Sequence, residues 1–330
     1  MLHRKTLLDQ KEYDFLRRDI RLRDICYITL HGSYAFGTNT ETSDVDVRGF
    51  ALGDRQELLL GREFEQVESS EADTVIFGLR KFVSLLSSCN PSHIELLGIR
   101  EEDVLFCNSV GRKVRESLPI FLSKKAYNTF AGYATSQLRR IQNALAHDSY
   151  PNDEKEDHIR KSLESSMLTL NEQYDLAEGS FSFGLSDENP EETEVTVSCH
   201  VDNIPVRKFI AVNSGISNML RNYDKLNHRN RKKDEPHLFK HAMHLIRLYH
   251  EGLDILNDGK VVVYREKEIP LYRDIRAGKI PFKEIFEMAE ELDQEMKKTR
   301  DRSPLPDKPD FRKIDALLSD IYFNHLEEIF

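Results

Sequence analysis

The sequence predicts an α+β fold, with a small mixed-sheet core over residues 1–110 followed by a mainly helical region over 111–330. Three observations carry that expectation. Short β-rich runs bounded by turn residues crowd the first third of the chain. Apolar residues recur at helical spacing over most of the remainder, and 330 residues exceed what one compact core usually holds.

Taken in order, residues 8–22 set Leu8, Tyr13, Leu16 and Ile20 among charges and predict an amphipathic helix. Cys26–Leu30 predicts a strand that ends at His31, Gly32 and Ser33. A polar, threonine-rich stretch follows, then a second strand over Asp44–Phe50. Glu63–Glu68 alternates and predicts a third, and Asp73–Phe77 a fourth that runs into a helix over Leu79–Ser87. Past residue 110, helices are expected over 124–146, 154–178, 208–223, 236–256, 281–299 and 311–328. An inserted hairpin around 180–205 interrupts them and contains Glu194–Ser198. Asn257–Lys260 reads as a turn before a short strand, Val261–Tyr264, and Ser303–Pro309 as a stiff, proline-rich connector.

Composition narrows the function classes. No apolar run approaches the roughly 18 residues that span a bilayer, and the charged N-terminus lacks the apolar centre of a signal peptide. Cys26, Cys89, Cys107 and Cys199 are widely spaced, as suits free thiols in a reducing compartment, so the cytoplasm is the expected location. A net charge of −10 argues against a surface that is basic throughout. The densest basic run, Lys225–Lys233, holds five Lys or Arg in nine residues and suits a solvated loop or a local anion patch.

The chemistry concentrates in residues 31–50, HGSYAFGTNTETSDVDVRGF. Gly32 and Ser33 sit where a strand gives way to a turn, a place where free backbone N–H groups meet anions. Gly32 has no Cβ to obstruct a phosphate, Ser33 adds a hydroxyl, and Gly37 permits the return of the chain. On a strand, Asp44 and Asp46 project from one face. Two carboxylates so close repel unless a cation lies between them, and magnesium, or manganese in its place, accepts carboxylate, phosphate and water oxygens. A phosphate cradle beside a metal-binding pair is what transfer from a nucleoside triphosphate requires.

This stretch resembles the active-site signature of the DNA polymerase β-like nucleotidyltransferase superfamily, in which Gly-Ser precedes Asp-x-Asp on the next strand. It is more closely similar to the RNA-ligase-associated (RlaP-type) nucleotidyltransferases, on Arg48-Gly49, NPSHIELL at 90–97, KHAMHLIRL at 240–248 and IRAGK at 275–279. The resemblance implies that Gly32 and Ser33 hold triphosphate oxygens and that Asp44 and Asp46 ligate metal. It also implies a third carboxylate, on a neighbouring strand, that helps activate the attacking hydroxyl. Asp73 is chosen for that role because it opens the next strand, with Glu68 and Glu71 as competitors. The reaction so implied is attack of a hydroxyl, most naturally on RNA in repair or end processing, at the α-phosphorus of a nucleotide. A protein or small-molecule acceptor and a silent nucleotide-binding regulator are the rival readings.

Other residues are candidates by position. Lys240, His244 and Arg247 fall at i, i+4 and i+7 on a helix, where they could neutralise a triphosphate or form a solvated face. Lys124 and Lys125, with Tyr133, Gln137 and Arg140, invite the same suggestion. His31 adjoins the phosphate turn. Asn90-Pro91 with Glu95 fits a helix start carrying an early acid. His237 and His241 have the spacing of a metal pair, but without an HExxH pattern no zinc is expected.

Overall fold

The computed structural model describes residues 4–149, 180–186, 194–200, 235–327 and five positions between 205 and 213. The expected helix over 154–178, most of that over 208–223 and the basic run 225–233 lie outside the described residues. The chain divides into one unit formed by Met1–Arg140 with Glu235–Phe330 and a second formed by Ile141–Asp234. In the second unit, β6 (Phe181–Ser186) and β7 (Glu194–Cys199) pair antiparallel as a hairpin.

The first unit is built on a five-stranded mixed sheet of order β3-β4-β2-β1-β5. Its strands are β1 (Asp24–His31), β2 (Asp46–Leu52), β3 (Gln66–Ser69), β4 (Thr74–Gly78) and β5 (Val104–Cys107). Only β2 and β4 are parallel. Side-chain alternation divides the sheet into two faces. On one, Ile28, Leu30, Val47, Ala51, Val67 and Ile76 join Leu7, Tyr13, Leu16 and Leu22 from the N-terminal segment in a single apolar cluster. On the other, Phe50 stacks on Phe82 at 4.6 Å and the Tyr27 hydroxyl donates to the Leu96 carbonyl at 2.8 Å. Phe82 belongs to α4 (Leu79–Ser87), whose Leu79, Phe82, Val83 and Leu86 bury one stripe, and Leu96 to α5 (Pro91–Leu97).

The single helix expected over 8–22 is instead three short pieces, including α1 (Phe15–Arg18) and 3-10 turns at Lys11–Tyr13 and Ile20–Leu22. Gln10 and Asp19 adopt extended backbone, and the Asp19 side chain accepts the Arg21 N–H, so each break restarts the chain. The strand expected at Val261–Tyr264 is absent, since that segment pairs with no sheet although Val261 and Val263 are buried.

A boundary was expected near residue 110, and the first unit runs past that position to Arg140 and takes in Glu235–Phe330. The C-terminal helices α9 (Glu235–Asp258), α10 (Ile269–Arg276), α11 (Phe282–Arg302) and α12 (Phe311–Glu327) cluster with the sheet rather than apart from it. Helix α9 explains why, because nearly every side of it is buried, from Leu238 and Met243 to Leu245, Ile246, Leu248 and Ile255. Among the described residues no helix is long and apolar enough to cross a membrane.

Candidate active site

The face of the sheet that carries Tyr27 and Phe50 continues, at one edge, into His31, Asp46 and Arg48, since β1 and β2 pair His31 with Asp46 and Thr29 with Arg48. Immediately after His31 the chain turns through α2 (Gly32–Phe36). Gly32 has φ +60°, and a Cβ built on it would stand 2.0 Å from Asp46 Oδ2. Any side chain there would collide with the carboxylate, so glycine is required both by backbone conformation and by the close approach of Asp46. The small-residue turn and the acidic strand, separate in sequence, therefore meet.

Asp73 completes a carboxylate pair. Because β4 runs parallel to β2, with Val47 opposite Thr74, the starts of both strands share one edge, and Asp73 precedes Thr74. Arg48 joins the two acids: its Nη1 donates to the Asp73 carbonyl at 2.6 Å, and its Nη2 lies 3.1 Å from Asp73 Oδ1 and 3.5 Å from Asp46 Oδ1. Asp73 has φ +37°, a conformation uncommon outside glycine, and its carbonyl also accepts the Val47 N–H. Burial, then the neighbouring Asp73, pushes the Asp46 carboxyl above its usual range, while Arg48 and His31 pull it back. Glu68 and Glu71 are exposed, and the Glu68 side chain instead pairs with Gln66.

Asp44 is placed differently from the expectation. The strand begins only at Asp46, because residues 40–43 form a turn in which the Ser43 N–H meets the Thr40 carbonyl and the Thr40 N–H meets Ser43 Oγ. Asp44 is exposed and makes no hydrogen bond or ion pair among the described residues. No group of three or more His, Cys, Asp or Glu side chains among the described residues is arranged to hold a metal ion, so Asp44, Asp46 and Asp73 do not form a ready cage. The Asp46–Asp73 pair still fits a hard divalent cation, which takes one or two carboxylates and completes its shell with phosphate and water.

A buried charged layer backs this edge. Glu95 on α5 accepts from Arg247 on α9 at 2.8 Å and meets His31 Nε2 at 3.1 Å. Arg247 also donates to Glu251 at 2.8 Å, and its guanidinium lies 3.8 Å from the Phe36 ring centre. Burial opposes ionisation of Glu95, but the Arg247 charge and the His31 contact outweigh it and bring its carboxyl down to about 2. Glu251, buried beside Glu95, is displaced upward. Two of the sequence segments without an evident task, 90–97 and 240–248, thus meet behind His31. Arg247 is buried in this layer and does not share an open face with Lys240, which is exposed. His244 packs edge-on against Phe36 at 6.0 Å, and burial pushes its imidazole down to about 3. Its i, i+4, i+7 stripe points into the protein at Arg247 because α9 is buried on nearly every side.

The loop between Ser33 and Asp44 is fixed by α10. Arg273 donates to the Gly37 carbonyl at 2.8 Å, and Arg276 to the Thr38 carbonyl at 2.5 Å and Ser43 Oγ at 3.4 Å. Gly37 has φ +70°, and a Cβ there would stand 2.5 Å from the Tyr264 ring. Neither arginine was legible as a site residue, although Arg276 falls in the 275–279 segment. Of the helix α8 (Lys125–Ser149) candidates, Gln137 bonds His241 at 2.8 Å and Tyr133 accepts from Asn90 at 3.1 Å, so both are engaged within the fold.

No curated protein and no solved structure matches the chain significantly. A family model does match, over residues 10–155, which span the sheet and the Gly32, Asp46 and Asp73 edge. Over those residues the chain is similar to the RlaP family, described as the RNA repair pathway DNA polymerase beta family.

Proposed function

We propose that the protein transfers a nucleoside monophosphate from a nucleoside triphosphate to a hydroxyl acceptor at an RNA end. The observation that carries this reading is the carboxylate of Asp46 packed against the bare Cα of Gly32, with Asp73 beside it. An anion-accepting turn and a carboxylate pair at one sheet edge are the two halves of a site for phosphoryl chemistry. In this reading Gly32 and Ser33 receive the triphosphate oxygens, and the acceptor oxygen bonds to the α-phosphorus as the bond to the β-phosphate oxygen breaks. Pyrophosphate leaves, and the hydroxyl proton passes to a carboxylate oxygen, for which Asp73 is our choice because it stands beside Asp46. Asp46, Asp73 and the unpartnered Asp44 would hold magnesium or manganese, which when bound neutralises charge on the phosphates. Arg48 keeps Asp73 turned toward Asp46, and the Glu95–Arg247 layer fixes His31 beneath the turn. Lys240, on the outer side of α9, remains a candidate for triphosphate contact.

The test supplies the full chain with each α-labelled nucleoside triphosphate, magnesium, and single-stranded RNA, protein or small-molecule acceptors. Label should move to RNA with the wild type and not with Asp46→Asn or Asp73→Asn variants that retain their fold. Label on protein alone would replace the RNA acceptor, and no transfer with any pair would leave only a nucleotide-binding role.

A further inference from the structure

A second cationic feature shares no residue with the carboxylate edge. An open concavity of about 720 Å³ is framed by the start of α8, the end of α11, the connector that follows it and the start of α12. Main-chain bonds make the frame rigid, since the Lys124 N–H donates to the Pro306 carbonyl at 2.8 Å and the Asp310 N–H to the Ile120 carbonyl at 3.0 Å. Prolines in the connector restrict it further.

Four cations line the concavity, Lys124, Lys125, Arg300 and Lys308, against two carboxylates, Asp301 and Asp307. On a chain of net charge −10 this is a local reversal of sign. The carboxylates neutralise only part of it. Lys124 stands 3.8 Å from Asp307, which is 88 % exposed, and such a pair is weak in water. Arg300 is bonded to Asp301, while Lys125 and Lys308 have no carboxylate partner among the described residues. The lysines also break a helix rule. Helix α8 has 25 residues and no acid in its first turn, yet it opens with Lys125 directly after Lys124, so side-chain charge adds to the positive end of the helix. The hydroxyl of Ser123, just before them, is buried without a hydrogen-bond partner and supplies no cap. That arrangement costs stability unless an anion occupies the end of the helix. Aromatic surface accompanies the charge: Phe311 is 51 % exposed, and Arg300 lies over the Tyr127 ring at 4.7 Å.

We propose that this concavity binds a phosphodiester segment of single-stranded RNA, with phosphates against Lys125 and Lys308 and a base against Phe311. Cations that track a backbone and an exposed ring that accepts any base are the shared requirements of single-strand binding. The proposal deepens the reading of RNA as acceptor, and its test reads binding without catalysis. Fluorescence anisotropy of a labelled single-stranded oligoribonucleotide would be measured with the full chain across a salt series. Lys125→Glu with Lys308→Glu should weaken binding about tenfold and lower the salt slope by roughly 1.4, about 0.7 for each phosphate no longer neutralised. Phe311→Ala should weaken binding about tenfold with the slope unchanged. Lys125→Ala with Lys308→Ala, at matched thermal stability, should follow the charge reversal in direction. Wild-type affinity and slope in all these variants would overturn the site, as would equal loss of binding to duplex RNA or to an acidic polypeptide. The two readings separate cleanly. Loss of RNA binding in the lysine variants without any nucleotide transfer would uphold the site alone, and transfer with unaltered binding would uphold the function alone.

Discussion

Replacing Arg247 with methionine isolates the buried charge that supports the candidate active site. Its side chain is 5 % exposed and donates at 2.8 Å to both Glu95 and Glu251, themselves 2 % and 0 % exposed. Methionine keeps much of the contact with Phe36 but removes the only charge either carboxyl is given by an ion pair among the described residues other than His31. Breaking one partner out of a buried pair costs about 3–5 kcal/mol, because a charge is left desolvated without compensation. Against a total stability of roughly 5–15 kcal/mol, that is a large share. With a shift of about 2–4 °C per kcal/mol for a unit of this size, thermal unfolding should fall by on the order of 10 °C at pH 7. Urea unfolding followed by circular dichroism measures the same loss as a free energy. The companion variant Arg247→Met, Glu95→Gln, Glu251→Gln removes the stranded acids and should recover part of the stability. A single variant that loses less than about 1 kcal/mol, or a triple variant no more stable than the single, would refute the buried-charge argument.

Two further outcomes follow from the same geometry. Gly32→Ala puts a methyl where Asp46 Oδ2 stands and strains a φ of +60°, so the carboxylate must move. Nucleotide transfer should fall by about a hundredfold with a loss of only about 1–2 kcal/mol of stability; unchanged transfer would show that Asp46 does not act at this position. Burial brings the His93 imidazole down to about 4 and that of His244 to about 3, whereas an unfolded histidine titrates near its ordinary value of 6.5. A lowered histidine pKa means the unfolded chain binds more protons, so stability is present above pH 6.5 and declines as pH falls toward 4, by up to about 1.4 kcal/mol per pH unit for each histidine. Urea midpoints that stay level from pH 7 to pH 4.5, or that fall equally in a His244→Gln variant, would contradict neutral burial of these rings.

The legible parts of the site were those that lie within one stretch of chain or follow from strand direction. Gly32 and Asp46 were readable because a turn glycine and an acid on the next strand lie within fifteen residues, joined by one short loop. Asp73 was readable because a residue opening a parallel neighbour of β2 must lie at the same edge. The strand expected from Asp44 begins only at Asp46, because alternation assumes that the strand has already begun and the side-chain bonds of Thr40 and Ser43 delay it. The i, i+4, i+7 stripe of Lys240, His244 and Arg247 was correctly periodic. Periodicity defines a face but not what packs on it, and α9 turned out to be buried nearly all round.

By itself the sequence determined a mixed sheet with a glycine turn and clustered acids, since backbone conformation, strand alternation and local charge are properties of neighbouring residues. Only the tertiary structure decided that Glu95 would meet Arg247 across 152 positions, and that Arg273 and Arg276 would clamp the loop after Gly37. It likewise joined Lys124 and Lys125 to Arg300 and Lys308 in one concavity. Such contacts depend on which buried faces come together, and that choice is made by the packing of the whole unit rather than by any segment's own pattern.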